Sequence, residues 1–469
     1  VAVRSALEEE VLGEIRPGAV ERELIHRVAE RLVGQVNDSG VATGMIVGSV
    51  ARDTWIRGDR DLDIFMLFPP EISREELEEQ GLGLARSVAG SLGGVYYEKY
   101  AEHPYIHATI EGLEVDIVPC YRVNDAASIR SAVDRTPFHT RFTKDRIGPF
   151  TDDVLLLKQF MKNSGVYGSD QMTEGFSGYL CELLILHYRG FTGLIEAAQS
   201  WHPGICIDIA GHRSKDFTEP LVVVDPVDPG RNVSASVSLS KLCEFIELAR
   251  GYREEPAREF FFLPPEHVPG RDEFESDLRD RGTSLYAIYV ATPPYIEEII
   301  VPQLRKSLGA ICSLLARHEF VVSRAGCEMH EDRSLFLIEL LTDTLPPVKR
   351  HYGPPVWAFQ NANQFVQKYL DNDSIRVFSG PYIENGIYIV ELERTYRTAG
   401  DLLRSAEVLG TGIGRHIRDV MAETYTVSSG ADCFDKDFSA FISSFLHKTS
   451  PYLTIQKKRK GRISPDTNS

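Results

Sequence analysis

The segment RGDRDLDIFMLF, Arg57 to Phe68, constrains the fold more than any other stretch of the chain. Ile64 to Phe68 are five apolar residues in succession, read as a buried strand that Pro69-Pro70 ends. Asp59, Asp61 and Asp63 alternate at its mouth, and residues i, i+2 and i+4 of a strand share one face. Neighbours in such a set lie about 7 Å apart and repel by roughly 2 to 3 kcal/mol at an effective dielectric near 20. Solvent absorbs that at an exposed edge, but not cheaply beside Ile-Phe-Met-Leu-Phe. A divalent cation converts the repulsion into coordination, and carboxylate oxygens suit Mg2+. A calcium loop also opens D-x-D-x-D but needs Gly at its sixth position and Glu at its twelfth. Counted from Asp59 these are Ile64 and Pro70, so that reading fails. Taken alone, the motif also reads as turn residues and polar strand ends.

The surroundings favour chemistry. Upstream, VGSVARDTW puts Gly48-Ser49 just after a short strand, with eleven residues between Ser49 and Asp61. Such a turn offers free N–H groups and a hydroxyl to an anion, and Arg52 adds positive charge. Downstream, LEVDIVP supplies Asp116 on a later strand. A phosphate-binding turn and carboxylates on neighbouring strands are the parts that two-metal phosphoryl transfer needs.

Composition neither adds to this nor forbids it. The net charge of −17 argues against broad nucleic-acid affinity, which needs Lys and Arg. Lys457, Lys458, Arg459, Lys460 and Arg462 nevertheless crowd one short stretch, readable as a solvated, disordered tail or as an electrostatic arm for RNA. The seven cysteines are scattered without a CxxC pair, which disfavours a disulfide framework or structural zinc. No apolar run approaches the roughly 18 residues of a membrane helix, and the charged, amphipathic first residues lack a signal-peptide core. A cytoplasmic protein is expected.

Periodicity gives the organisation. Residues 1–40 read as helical, and about 42–120 as an α/β unit with a mixed or antiparallel sheet, too rich in strands for a doubly wound fold. Residues 151–200 switch to helix, with Thr151 as a candidate cap. LVVVDPVDPGRNVSAS reads as a strand followed by a Pro/Gly loop, and the Pro-rich stretch 261–273 as a boundary. A β-α-β-β module of about a hundred residues follows, then the strand NGIYIVELERTY and the helix AGDLLRSAE.

Taken together, GSVARDTW, DLDIFMLFP and VDIVPC resemble the nucleotidyltransferase core of the DNA polymerase β superfamily. The strings SAVDRTPFH, GFSGYLCELLI and VVDPVDPGRNV narrow the resemblance to the archaeal (class I) CCA-adding enzymes, tRNA nucleotidyltransferases that build the 3′-CCA end without a nucleic-acid template. It is dense over residues 40–240, weaker over 270–380, and returns in part at YIVELERTYRTAGDL. It implies an α+β multidomain chain: a polymerase β-like head over 1–149 with a mixed sheet and helices, and a helical neck over 150–221. An α/β body over 222–273 and 381–469 and a small α+β tail over 274–380 that grips the TΨC end of tRNA complete it.

Residue by residue, Asp61, Asp63 and Asp116 match the metal-binding carboxylates, with Asp61 shorter than the Glu often found there. Ser49 and Arg52 match triphosphate contacts, and His139, Lys158 and Tyr167 match further nucleotide-binding positions. Arg231 matches the arginine that reads the base edge. Each has a plainer alternative: a structural histidine, a snorkelling lysine, a helix-closing tyrosine, a surface ion pair. Asp59 matches no ligand and reads as a loop residue. The implied activity is Mg2+-dependent addition of C, C and A to tRNA from CTP and ATP, with two metal ions and a homodimer compatible with it. A poly(A) or 2′-5′ oligoadenylate polymerase shares the core, and a non-catalytic RNA-binding protein is the rival from another class.

Overall fold

The computed structural model describes residues 4–100, 103–125, 128–264, 268–370 and 374–463. The chain divides into two compact units, residues 1–265 with 449–469, and residues 266–448. The break falls inside the Pro-rich stretch 261–273, of which 265–267 lie outside the described residues.

The first forty residues form two helices, α1 (Ala6–Ile15) and α2 (Ala19–Asp38), interrupted at Pro17-Gly18. Ser5 and Glu8 close a reciprocal capping box on α1. Strands β1 (Thr43–Val47) and β2 (Asp61–Phe68), helix α3 (Arg74–Ser91), and strands β3 (Val95–Tyr100), β4 (Pro104–Ile110) and β5 (Leu113–Tyr121) follow. The sheet order is β1-β2-β5-β4-β3, with β2 and β5 parallel and the remaining pairs antiparallel. Period-2 alternation decides what each face carries. Leu62, Ile64, Met66 and Phe68 of β2 and Val115 and Ile117 of β5 bury against Ile25, Val28 and Leu32 of α2 and Leu77, Ala85 and Val88 of α3. Asp61, Asp63 and Asp116 therefore fall on the opposite face.

Helices α4 (Thr136–Ile147), α5 (Thr151–Asn163), α6 (Gly178–Tyr188) and α7 (Phe191–Ala198) come next, then strands β6 (Ile205–Asp208), β7 (Leu221–Asp225) and β8 (Asp228–Asn232), and helix α8 (Leu239–Glu254). An aromatic-rich core of Phe160, Phe176, Phe191, Phe245 and Phe260 joins α5, α7 and α8. Thr151 does not cap α5: Phe150 holds that position and the Thr151 hydroxyl donates to the Gly148 carbonyl. The expected Pro/Gly loop after β7 is instead a hairpin, since Pro229 and Gly230 lie in β8 at the edge of the β6-β7-β8 sheet, where a missing N–H costs no ladder bond.

In the second unit, α9 (Arg271–Arg281), β9 (Ser284–Ala291), α10 (Glu297–Arg317), β10 (Val322–Met329) and β11 (Arg333–Leu340) realise the expected β-α-β-β order. They are followed by β12 (Val348–Pro355), α11 (Phe359–Leu370), β13 (Val377–Glu384), β14 (Ile387–Glu393), α12 (Ala399–Leu403), α13 (Arg415–Glu423), β15 (Thr426–Ser429) and α14 (Ser439–Leu446). One sheet runs β10-β11-β9-β15 and a smaller one β12-β14-β13. Although no uninterrupted apolar run is that long, α10 alone among the described residues has the length and mean hydropathy of a membrane span. Its Ile300, Leu304, Ile311, Leu314 and Leu315 are core residues packed with Ile288, Phe336 and Ile338 of the sheet.

The basic stretch near residue 460 is a helix, α15 (Pro451–Ile463), and not a disordered tail. Although grouped with 381–448 on sequence, it belongs to the first unit: Ile455 is fully buried in that core and Arg459 pairs with Glu255. A Cβ on Gly251 of α8 would lie 2.0 Å from the Tyr452 ring, so glycine is what admits this contact. The side chain of Arg462 and residues 464–469 lie outside the described residues.

Candidate active site

Strand register builds the acidic face. Asp63 is the lateral partner of Asp116 in the parallel β2–β5 pair, and Asp116 is the partner of His107 in the β5–β4 pair. Asp61 stands one step along, beside Glu114. On its other side Asp63 pairs with Val47, the last residue of β1, so the Gly48-Ser49 turn opens directly over it. Gly48 has φ +68°, and a Cβ there would lie 2.0 Å from Asp63 Oδ2; both its conformation and its emptiness are required.

Ser49, Arg52, Asp61, Asp63, Asp116, Lys158 and Tyr167 line one open cavity of about 490 Å3. His139 and Arg231 are not among its lining. They meet each other on buried Asp225, whose Oδ2 lies 2.8 Å from His139 Nε2 and accepts from Arg231 Nη1 at 2.8 Å. Arg231 lines a second cavity of about 580 Å3. The His139 ring stacks on Tyr179, centroids 4.3 Å apart, and Tyr179 lines the first cavity. Asp59 precedes β2 and takes Lys162 Nζ at 2.8 Å on both oxygens.

The electrostatics are uneven. Burial, then the charges of Asp116 and Asp61, push Asp63 up to about 6, with Arg52 opposing. Asp61 is also raised, by burial and then by Asp59. Burial holds Lys158 below the ordinary lysine range, and its ammonium donates to the Thr54 carbonyl at 2.7 Å. Tyr167 is pushed up by burial and stays a proton donor. Among the described residues no three His, Cys, Asp or Glu side chains are already gathered as a metal nest. Asp116 Oδ1 is instead 2.6 Å from His107 Nδ1, while His107 Nε2 is 2.9 Å from Glu114. The donors still fit a hard cation: Asp61, Asp63 and Asp116 converge on one cavity, and a divalent ion offsets both the burial and the mutual repulsion that raise Asp63 and Asp61.

Four residues escaped the sequence reading. Glu182 of α6 is fully buried, 2.7 Å from Arg52 Nε, and accepts from the Thr54 hydroxyl at 2.6 Å. A lone acid inside the apolar GYLCELLIL is the signal that could have found it. Asp225 stood within a quoted string without a role. His107 and Glu114 carried no local signal; only the register of β4 on β5 brings them to Asp116.

A mixed sheet with carboxylates on adjacent strands and a Gly-Ser turn over them defines a nucleotidyltransferase head. Residues 27–139 match the nucleotidyltransferase domain family, 152–262 the second domain of tRNA nucleotidyltransferase, and 281–430 the C-terminal domain of CCA-adding enzyme. The CCA-adding enzyme of Methanoregula boonei is 54% identical over 98% of this chain and 99% of its own length. That of Methanosarcina acetivorans is 41% identical over 93% and 97%. A cytoplasmic RNA terminal U-transferase aligns at TM-score 0.42 and 16% identity, over 55% of this chain and 98% of that one, a likeness too distant to bear on function. The chain belongs to the CCA-adding enzyme family.

Proposed function

We propose that this chain adds C, C and A to the 3′ end of tRNA from CTP and ATP, in the cytoplasm, releasing pyrophosphate at each step. The observation that carries the chemistry is the lateral pairing of Asp63 with Asp116 beneath the Gly48-Ser49 turn. The RNA 3′-oxygen attacks the α-phosphorus in line, forming the new P–O bond as the α–β bridging bond breaks and pyrophosphate departs. Asp61, Asp63 and Asp116 would hold two Mg2+ ions, which when bound lower the pKa of the attacking hydroxyl and offset the charge of the leaving pyrophosphate. The hydroxyl proton passes to solvent, without a dedicated general base.

The remaining residues orient. Ser49 and the turn's N–H groups receive the triphosphate, with Arg52 braced by Glu182 so that its guanidinium faces the phosphates in a fixed pose. Lys158 and Tyr167 bind from the neck side of the same cavity. His139 and Arg231, locked together by Asp225, set the base at the border of the second cavity. Arg231 keeps donors free for the acceptor edge of cytosine or adenine. On this reading the acceptor end of tRNA enters the cavity of the head (1–149), the tail (274–380) grips the TΨC end, and a homodimer is compatible with it.

The test supplies Mg2+ and one labelled nucleotide at a time to tRNA ending before CCA, after its first C, or after CC. Incorporation of C, C and then A, without use of UTP or GTP, is expected. Untemplated runs of A would replace this reading with a poly(A) polymerase.

A further inference from the structure

The second unit holds a small cavity of about 160 Å3 where the end of α10, strand β12 and the segment after β14 converge. Its lining carries four permanently cationic side chains, Arg317, Lys349, Arg350 and Arg394, against one carboxylate, Glu319. Arg394 is paired with Glu319, and Arg350 with Glu384 at 2.7 Å. Arg317 and Lys349 have no carboxylate partner among the described residues, and the buried Nε of Arg394 has no hydrogen-bond partner there either. Burial, then the charges of Lys349 and Lys368, holds the neighbouring His351 below the ordinary histidine range.

This is the inverse of the aspartate row: like charges share a partly enclosed space, and two of the four, Arg317 and Lys349, lack a counter-charge among the described residues. At 160 Å3 the space falls below the roughly 300 Å3 that accommodates a whole small-molecule ligand, so a single anionic group enters it. Beyond the cavity lie Tyr352 on β12, Trp357 in the turn after it and Phe359 at the start of α11. These three aromatics are 59, 77 and 73% exposed. Cations that receive a phosphate, with exposed aromatic side chains in the segment that follows, match how proteins track a nucleotide chain.

We infer that this cavity seats a backbone phosphate of the RNA substrate, held by Arg317 and Lys349. The inference rests on the tRNA reading above and adds to it where the strand is gripped. The test measures binding of a labelled hairpin comprising the acceptor and TΨC stems, between about 50 and 300 mM KCl. The Arg317→Ala/Lys349→Ala protein is expected to bind about tenfold more weakly at the lower salt, with the slope of log Kd against log[KCl] reduced by about 1. Lys349→Arg alone should keep the wild-type slope, and an unchanged melting temperature establishes that the double variant is folded. A folded double variant with wild-type affinity and slope overturns this site while leaving the tRNA reading intact. A wild-type protein that does not bind the hairpin overturns both.

Discussion

Asp63 and Glu339 are acidic residues on interior strands of two different sheets, and their surroundings have treated them in opposite ways. Glu339 is 1% exposed, yet Arg281 clamps both its oxygens at 2.6 and 2.9 Å, and Arg324 and Thr283 complete the shell. Burial alone would raise its pKa; those hydrogen bonds outweigh it and bring it down to about 2. Asp63 has Asp116 and Asp61 for neighbours, with only Arg52 opposing, and rises to about 6. One region has satisfied its charge from within the chain. The other has left it to be satisfied by something that binds.

Four measurements bear on that contrast. Asp63→Asn is expected to reduce CMP incorporation about 10³-fold, roughly 4 kcal/mol of transition-state stabilisation, while raising the melting temperature of metal-free protein. Wild-type turnover in that variant would remove Asp63 from the chemistry. Glu339→Gln should do the reverse, destabilising the second unit by about 3 kcal/mol because two arginines lose their counter-charge. Hydrogen exchange of the β9–β11 amides in urea reads this out, and unchanged protection would show that the clamp contributes nothing.

The two groups also respond to pH with opposite sign. Asp63 binds its proton more tightly folded than unfolded, so in EDTA the first unit should lose stability as pH rises from about 4 to about 6. Glu339 binds its proton more weakly when folded, so its contribution is complete above about 4.5 and disappears as pH falls toward 2. Melting curves resolved by unit across that range check both slopes, and parallel slopes would contradict the assignment. The smallest effect is expected from Asp59→Ala, which frees Lys162 but removes no cavity carboxylate paired across β2 and β5. Less than tenfold in rate is expected, and a loss matching that of Asp63→Asn would place Asp59 among the ligands.

What was legible in sequence followed short-range rules. Period-2 alternation exposed Asp61 and Asp63, and a Gly-Ser pair after a strand exposed the turn. Asp116 was legible because its strand repeats the acid-then-apolar pattern. Partners that lie far apart in the chain were not: Glu182 reaches Arg52 across 130 residues, and His107 reaches Asp116 only through strand register. The Pro229-Gly230 strand failed for a related reason, since an edge position is a property of the sheet and not of the segment. Helix α10 was expected from sequence, but its apolarity is explained only by the sheet it covers.

The placement of α15 has a consequence for how the molecule is made. Its seat around Gly251 belongs to residues synthesised long before it, and the whole of the second unit is translated in between. While the ribosome works through that interval, the first unit waits with Phe260 and Tyr252 short of their last neighbours, Tyr452 and Ile455. A nascent chain interrupted anywhere in the second unit therefore leaves the first unit with an open apolar seam.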